Sequence, residues 1–412
     1  MSSTTTVRSR ARLTRDRPTW LIYLQLAIFA TYLYGLSAAL PLLRIEQGVS
    51  QAVAGLHGTA MAVGGVLSGI AMARVTAKIG RRRATWLGLI TVSLGVVLVT
   101  VTTTLPVTLL GFGLASAGGS FTLYMGMSTL SDHHGAAGPA AINEANAVGV
   151  TVGIGVSYLI SVLADTPLGW RTGILLTPVT TFLLLVLMGR VWVPAVPPVT
   201  DHPEPGPATA ARVPYGWRFH VACVVLFCLV AMEFLFNLWA AKLLADQTDM
   251  SPAAAATGLT AFTAGIAVGR FTGGRLALRM DPAPLLTGAL AVTLAGWAVF
   301  WLSTQPVVSY AGLALCGLGV AVQFPLGLSR VIAMAGGRPD QAGATAAVWA
   351  SLAVGIGPFT LGALADGFGT RTAFLMVPLL IVCAFTGIAL TARLERRPGP
   401  TAAPPLRPDR RR

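Results

Sequence analysis

The sequence predicts an all-α polytopic membrane protein in which twelve transmembrane helices form two related six-helix bundles. Its composition, the distribution of its basic residues and an internal repeat predict this fold class. Of 412 residues, 54% are hydrophobic and 11% are charged, whereas soluble domains contain about 25% charged residues. The mean hydropathy is +0.71. Because a soluble fold could not cover its surface with this composition, the sequence excludes a soluble enzyme, a disordered chain and a fibrous protein.

Twelve apolar runs are long enough to cross a bilayer, because a membrane-spanning helix needs about 20 mostly apolar residues. The predicted spans of the first half cover residues 20–42, 51–73, 84–103, 106–130, 142–164 and 172–192. Those of the second half cover residues 218–241, 253–276, 284–303, 307–329, 342–364 and 372–392. The first run follows a cluster of arginines and is too long for the core of a signal peptide, so we expect it to be retained as the first span.

The basic residues determine the predicted orientation. If both termini lie in the cytoplasm, 25 of the 29 basic residues fall on the cytoplasmic side. The outside loops then hold only Arg44, Arg171, Lys242 and Arg371. This asymmetry fits only an even number of spans and predicts a multi-pass protein of the cytoplasmic (inner) membrane with both termini cytoplasmic. The net charge of +14 is therefore assigned to membrane orientation, and we expect no binding of nucleic acid.

A stretch rich in proline and polar residues divides the chain into two halves. We expect residues 193–216 to form an extended cytoplasmic linker between a bundle at 19–192 and a bundle at 217–393. Residues 1–18 are a basic cytoplasmic tail, and residues 394–412 are expected to be a disordered basic cytoplasmic tail.

The two halves repeat one another at the level of sequence. Residues 84–131 and 282–329 are each runs of 48 residues without Asp, Glu, Lys or Arg, and each is broken near its middle by a proline turn. The tetrapeptide VGIG occurs at 152–155 and again at 354–357. Collinear matches at an offset of about 200 residues indicate two parallel six-helix halves, an organisation typical of transporters that rock about a central site.

The six-plus-six plan, the central linker and the basic loop after the second span resemble the major facilitator superfamily over about residues 18–395. The family's signature loop reads glycine, three residues, aspartate, arginine, one residue, glycine, arginine, arginine. This chain has Ala73 in place of the first glycine and Ala77 in place of the aspartate. It keeps the basic half of the motif, Lys78, Gly80, Arg81 and Arg82. The resemblance implies that these residues form a cytoplasmic gate whose latch, which uses the aspartate in the family, is absent or is made differently here.

Glu233 is the strongest candidate for a functional charge inside a span, because such charges are costly in a membrane. It lies near the middle of the seventh predicted span. Phe236 and Asn237 follow three and four residues later and therefore share its helix face. A carboxylate in apolar surroundings favours its neutral form and can exchange a proton near neutral pH. We predict a proton carrier beside a substrate cavity walled by aromatic residues, including Trp239; a structural carboxylate bonded to a neighbouring helix is the alternative.

Other polar and aromatic side chains inside the spans are candidates for the same cavity, although packing or an interfacial position would explain each of them as well. These residues are Tyr34, Tyr124, Asn146 and Gln323. Arg270, near the cytoplasmic end of the eighth span, is predicted to anchor or gate the membrane surface; binding of an anionic substrate and pairing with an acid are the alternatives. Asp132, beside the loop between the fourth and fifth spans, is expected at the cytoplasmic gate or in solvent.

These features predict a secondary active transporter that moves a small organic solute by alternating access, coupled to protons. The expected partners are the solute, protons and the lipid bilayer, and we expect a monomer without a metal or another cofactor. The sequence has no phosphate-binding loop ending in Gly-Lys-Ser/Thr, so an ion or solute gradient must drive transport. One central acid and several aromatic residues favour a neutral or cationic cargo, a preference that Arg270 could reverse.

Two further functions are kept as alternatives. Efflux of a drug or a secondary metabolite would use the same fold, but Val156 stands at the proline position of the exporters' antiporter motif, and the fourth span lacks their arginine. A membrane-embedded enzyme is suggested only by the Asp132–His134 sequence, in which Gly135 follows instead of an acyl-transfer cysteine. A receptor or channel would need a long regulatory tail or a ring of like charges, and the sequence has neither.

Overall fold

The computed structural model describes most of the two predicted bundles. The described residues are 13–49, 51–164, 166–193, 215–248, 250, 255 and 258–395. Most of the predicted linker and of both tails, residues 1–12, 194–214 and 396–412, lies outside the described residues. Within the described ranges the chain is helical apart from short turns and contains no β-strand, so the all-α prediction is confirmed.

The first half contains six spans joined by short connections. The first span is Arg17–Gln47. The second and third form one stretch, Gln51–Val101, interrupted at Gly80, whose φ of 79° and ψ of 159° are not helical. The other spans are the fourth, Leu105–His134; the fifth, Gly138–Ala164; and the sixth, which combines Gly169–Ile174 and Leu176–Met188.

The second half repeats this plan. Its seventh to ninth spans are Trp217–Thr248, Gly258–Ala277 and Pro282–Leu302. The tenth combines Pro306–Val320 and Gln323–Ala333, the eleventh is Pro339–Phe368, and the twelfth combines Thr370–Ala373 and Met376–Glu395.

The helices account for the predicted number of membrane passes. Nine stretches among the described residues are long and apolar enough to cross a membrane, and two of these, Val53–Val101 and Leu105–Ala164, each contain two passes. The eighth span, Gly258–Ala277, is not one of the nine; it carries Arg270 and Arg275. The nine stretches, the second pass in each of the two double stretches and the eighth span together make the twelve spans that the apolar runs predict.

Prolines account for the breaks inside three of the spans. Pro178, Pro325 and Pro378 each lie in the first turn of the second helix of their span. Proline is tolerated there because the backbone N–H groups of a first turn have no intrahelical partner, whereas deeper in a helix it removes a hydrogen bond and clashes with the preceding turn. Pro178 and Pro378 occupy matching places in the sixth and twelfth spans, so the internal repeat extends to helix geometry.

Glycines allow neighbouring helices to touch at their backbones within each half. A Cβ atom added at Gly95 of the third span would lie 2.5 Å from the carbonyl oxygen of Gly111 in the fourth. A Cβ added at Gly317 of the tenth span would collide with the carbonyl oxygen of Phe262 in the eighth. Small residues favour such close packing in membranes, where no hydrophobic driving force acts between helices.

The two halves meet along the second and eleventh spans and along the fifth and eighth spans. A Cβ added at Gly69 would lie 2.6 Å from a methyl carbon of Val348, and one added at Gly65 would collide with the hydroxyl oxygen of Ser351. Nearer the start of the second span, at Gly58, nothing lies within 4 Å of an added Cβ atom. The second and eleventh spans therefore touch toward one end of the interface and diverge toward the other end.

The closed end of this interface is the end at which the described chain begins. We call it the terminal face, and it contains residues 13–16, the turns at 80–82 and 133–138, Tyr215 and residues 338–341. The opposite face contains the turns at 48–49, 102–104 and 166–168.

Gly317→Ala is expected to lower the thermal stability of the protein, because the added methyl group meets backbone that cannot move aside freely. Overpacking of this kind costs about 1–3 kcal/mol. Gly288→Ala is the matched control, since nothing lies within 4 Å of a Cβ at that position. Melting temperatures of the purified proteins in detergent test the expectation, and a Gly317→Ala protein that melts at or above the wild-type temperature would contradict it.

Candidate functional site

A cavity of about 810 Å³ lies between the two halves. Spans one, two, four and five line it from the first half, and spans seven, eight, ten and eleven line it from the second. Its inner end is formed by residues such as Asn146 and Arg270, and it extends past Ser37 and Thr59 toward the opposite face. The cavity therefore lies on the side where the second and eleventh spans diverge.

The central feature of the cavity is an ion pair between neighbouring spans of the second half. Oε1 of Glu233 lies 3.6 Å from Nη2 of Arg270. Arg270 is only 7% exposed. Because a charge without a partner is costly in this environment, each group makes the burial of the other tolerable.

Arg270 also reaches across to the first half. Its Nη1 donates a hydrogen bond of 3.5 Å to the carbonyl oxygen of Asn146 in the fifth span. Tyr34 of the first span lines the same cavity as Arg270, and its ring packs against Gly153 of the fifth span. From the eighth span, Arg270 thus contacts the fifth and seventh spans and joins the two halves at the inner end of the cavity.

Five of the residues selected from the sequence meet in this cavity. They are Tyr34, Tyr124, Asn146, Glu233 and Arg270. Tyr124 packs edge-to-face on Phe324, with ring centroids 6.3 Å apart. The sequence grouped Arg270 with the surface gate. The structure places it two helical turns before the end of the eighth span at Ala277 and beside Glu233, because the packing of the seventh and eighth spans directs its side chain into the cavity.

The other residues selected around Glu233 point elsewhere. Phe236 is fully buried in the second half and packs against the rings of Phe262 and Phe374, with centroids 5.3 Å and 6.0 Å away. Asn237 is exposed and donates to the backbone carbonyl of Glu233, at 2.9 Å. The cavity wall uses instead Glu233, Phe234 and Leu238, so the arc of the helix that faces the cavity excludes Phe236.

Trp239 and Gln323 also lie outside the cavity wall. The indole Nε1 of Trp239 donates a 3.2 Å hydrogen bond to the carbonyl oxygen of Pro358 in the eleventh span. Gln323 is fully buried, and its Nε2 donates to the hydroxyl of Thr293 in the ninth span, at 2.7 Å. Both side chains hold helices of the second half together.

Sequence reasoning missed much of the cavity wall. The aromatic residues Phe29, Phe112, Phe324 and Phe359 and the hydroxyl residues Ser37, Thr59, Ser116, Ser120 and Ser351 line it. No local signal separates them from packing residues, because serine and threonine hydroxyls in membrane helices usually bond to their own backbone. The Ser37 hydroxyl does so, donating to the carbonyl of Leu33 at 2.7 Å.

Arg81 ties the two halves together at the terminal face. Its Nη1 lies 2.7 Å from Oδ2 of Asp132 in the first half, and its Nε lies 2.6 Å from Oδ1 of Asp340 in the first turn of the eleventh span. A carboxylate in a first turn also interacts favourably with the helix dipole. The second half therefore supplies through Asp340 an acidic partner at the gate, in a chain that has Ala77 at the position of the motif's aspartate.

Three other residues of the basic loop complete this region. Gly80 adopts a positive φ that favours glycine and turns the chain between the second and third spans. Arg82 donates to the carbonyl oxygen of Gly189 at the end of the sixth span. Lys78 is exposed.

The segment before the first span is held against the same face. Arg15 pairs with Glu144 of the fifth span at 2.5 Å, and Tyr23 donates to the same carboxylate at 2.8 Å. Asp16 caps the first span through the backbone N–H of Thr19 and contacts His133 at 2.8 Å. Partial burial opposes ionisation of Asp16, but its bonds with Thr19 and His133 hold its pKa below the ordinary value. These contacts close the terminal face of the first half.

The chain matches a known family along nearly its whole length. The profile of the Major Facilitator Superfamily matches residues 22–244 and 221–411. This chain belongs to the major facilitator superfamily. The prediction made from the basic loop and the repeat is thereby confirmed, and the family and the fold make the protein a multi-pass secondary transporter of the membrane. No curated protein matches the chain.

Solved structures share the fold at low sequence identity. An outward conformation of FucP has a TM-score of 0.76 and 19% identity and covers 91% of this chain and 98% of its own; FucP is a fucose:proton symporter of E. coli. The human organic anion transporter MFSD10 (TETRAN) has a TM-score of 0.70 and 16% identity and covers 92% and 100%. The proton:xylose symporter XylE, bound to 6-bromo-6-deoxy-D-glucose, has a TM-score of 0.72 and 12% identity and covers 90% and 94%.

Asp340→Asn is expected to open the terminal face more often, because it removes the acidic partner of Arg81 from the second half. A partly exposed ion pair contributes up to about 1 kcal/mol, which changes the ratio of closed to open states about fivefold. Ser128→Cys in a Cys383→Ser background reports opening, since Ser128 is fully buried and bonds to the carbonyl of Pro339 across the gate.

The labelling rate of that cysteine by a maleimide should rise about fivefold in the Asp340→Asn protein. Asp366→Asn, at the far end of the same helix, is the control and should leave the rate unchanged, because Asp366 is exposed near the opposite face. Equal rates in the two variants would show that the bond between Arg81 and Asp340 does not close the gate.

Proposed function

We propose that this transporter is coupled to protons and moves a small organic solute across the cytoplasmic membrane by alternating access. In this proposal the terminal face is cytoplasmic, as the excess of basic residues on that side predicts. The cavity then opens to the outside, and the contacts of the terminal face close the path to the cytoplasm. The likeness to an outward conformation of FucP supports this assignment of the state.

The contact between Glu233 and Arg270 is the observation that carries the proposal. A carboxylate in the middle of a membrane is either paired or protonated, because its isolated charge is poorly solvated. Glu233 keeps 18% of its side chain exposed, in the wall of the cavity, so protons can reach it from the cavity. FucP and XylE, which share the fold, are described as proton symporters.

Protonation of Glu233 would change what Arg270 binds. The charged carboxylate draws the guanidinium toward the seventh span, whereas the neutral acid leaves it free to bond with Asn146 and Tyr34 of the first half. Those bonds join the halves at the inner end of the cavity, so protonation stabilises the state that is closed at the terminal face. A proton can bias the two states only through such a difference in interaction energy between them.

The titratable and charged groups that face Glu233 are few. Among the described residues of the cavity wall, the eighth span contributes Arg270 and the first span contributes Tyr34, with Tyr32 and Tyr124 farther along. The described wall residues of the second, fifth, tenth and eleventh spans do not ionise. A response to pH that arises in the cavity is therefore assigned to Glu233.

Glu233→Gln is expected to abolish the pH dependence of opening at the terminal face. In the Cys383→Ser background with Glu233 intact, labelling of Ser128→Cys should be slower at about pH 5 than at about pH 9, because protonated Glu233 releases Arg270 to the first half. In the Glu233→Gln protein the rate should be the same at both values after correction for maleimide reactivity.

Asp246→Asn is the matched control for this change. Asp246 lies on the same span in an exposed ion pair with Lys242, at 2.8 Å, and its substitution should preserve the pH dependence. A pH dependence that survives in Glu233→Gln would remove Glu233 from the proton pathway. This measurement needs no substrate.

A further inference from the structure

Arg270 has hydrogen-bonding capacity that the protein itself does not use. A guanidinium carries five N–H donors. The Nε atom of Arg270 is buried and has no partner among the described residues. The contacts of its guanidinium with Glu233 and Asn146, at 3.6 Å and 3.5 Å, are longer than the usual 2.7–3.2 Å of such bonds. A buried cation held this loosely is suited to a ligand that supplies better acceptors.

The charge balance of the cavity defines which ligand fits. Among the described wall residues, Arg270 is the basic group and Glu233 is the acidic group. While Glu233 is charged, the pair is neutral and does not attract an ion. Once Glu233 is protonated, the cavity carries one uncompensated positive charge beside an unused donor. An anion therefore binds well only together with one proton.

A cationic ligand would meet the opposite situation. It would have to compete with Arg270 for Glu233 and would leave the guanidinium buried without its acidic partner. Breaking a buried ion pair in this way is strongly unfavourable. The sequence favoured a neutral or cationic cargo because it showed one central acid and several aromatic residues. Arg270, which lies beside Glu233, reverses that preference.

The rest of the wall favours a ligand with an apolar body. Aromatic rings line the cavity on both halves, among them Phe29, Phe112, Phe234, Phe324 and Phe359. Cavities of about 300–1,000 Å³ with mostly apolar walls and a few polar groups are typical of sites for small organic molecules. A sugar would need many polar partners, whereas the surface of this cavity is mostly apolar.

We propose that the cargo is an organic monocarboxylate with an apolar or aromatic body, bound through its carboxylate to Arg270 and carried with the proton on Glu233. The planar guanidinium offers the two parallel donors that a carboxylate accepts. Transport of one anion with one proton is electroneutral. This proposal rests on the proposed proton coupling and adds the chemical class of the cargo.

The test uses binding to the purified full-length protein, measured as thermal stabilisation in detergent. The probes are acetate, butyrate, hydrocinnamate and indole acetate, with the matched amides, phenylpropylamine and L-fucose as comparisons. Carboxylates with an apolar body should stabilise the protein at acid pH, and the amides, the amine and the sugar should not. If no carboxylate binds, or if an amide, the amine or the sugar binds as tightly, the proposed cargo class is wrong.

Variants assign the binding to the two charged residues. Arg270→Lys should weaken carboxylate binding at least about tenfold, because an ammonium lacks the fork geometry, and Arg270→Gln should abolish it. Arg275→Gln is the matched control: Arg275 lies on the same helix, is exposed and should leave affinity unchanged. Lys and Gln variants whose melting temperatures without ligand match the wild type exclude loss of folding as the cause. Unchanged affinity in Arg270→Gln would overturn the proposal.

The dependence on pH separates this proposal from proton coupling itself. Wild-type affinity for the carboxylate should fall by about tenfold per pH unit once Glu233 loses its proton, because one proton binds with each anion. Glu233→Gln should bind carboxylates without this dependence. If the labelling of Ser128→Cys responds to pH through Glu233 but carboxylates do not bind, the cargo class fails and the coupling stands. If carboxylates bind through Arg270 with the same affinity at all pH values, joint binding of proton and anion fails.

Discussion

A buried guanidinium that must find acceptors inside a membrane constrains the centre of this protein. Arg270 reaches Glu233 within the second half and Asn146 across the interface. Each of these contacts depends on the relative position of two spans, so the charge is well solvated only in certain arrangements of the halves. A costly charge in the middle of a bilayer thereby becomes a reason for the protein to prefer discrete states.

The two ends of the interface are built differently around this charge. At the terminal face, glycines bring the second and eleventh spans into contact, and Arg81 adds a partly exposed bond to Asp340. At the opposite face, polar contacts stay within each half: Glu46 accepts from Trp170 at 2.7 Å and from Arg171 at 2.8 Å. The described structure is therefore closed by contacts between the halves at one end, whereas contacts within each half stabilise the separate bundles at the other.

The halves share a backbone plan but divide the chemistry unequally. Matching prolines break the sixth and twelfth spans. In each half an arginine near the opposite face stacks on a tryptophan, Arg171 on Trp170 at 4.4 Å and Arg371 on Trp301 at 4.8 Å. The charged pair of the cavity, however, belongs to the second half. The first half contributes neutral hydrogen-bond acceptors and aromatic rings to the described cavity wall but no acidic or basic side chain.

The fold and the family follow from the sequence alone, because the bilayer imposes strong one-dimensional rules on length, hydropathy and the position of arginines. The sequence also identified Glu233, since a carboxylate inside an apolar run is conspicuous. It could not assign Phe236 to the core or Arg270 to the cavity, because the faces of a helix hydrophobic all round look alike in sequence. Only the packing of the two bundles decided these positions and brought Asp340 to Arg81, since contacts between residues far apart in the chain depend on how the helices are arranged in space.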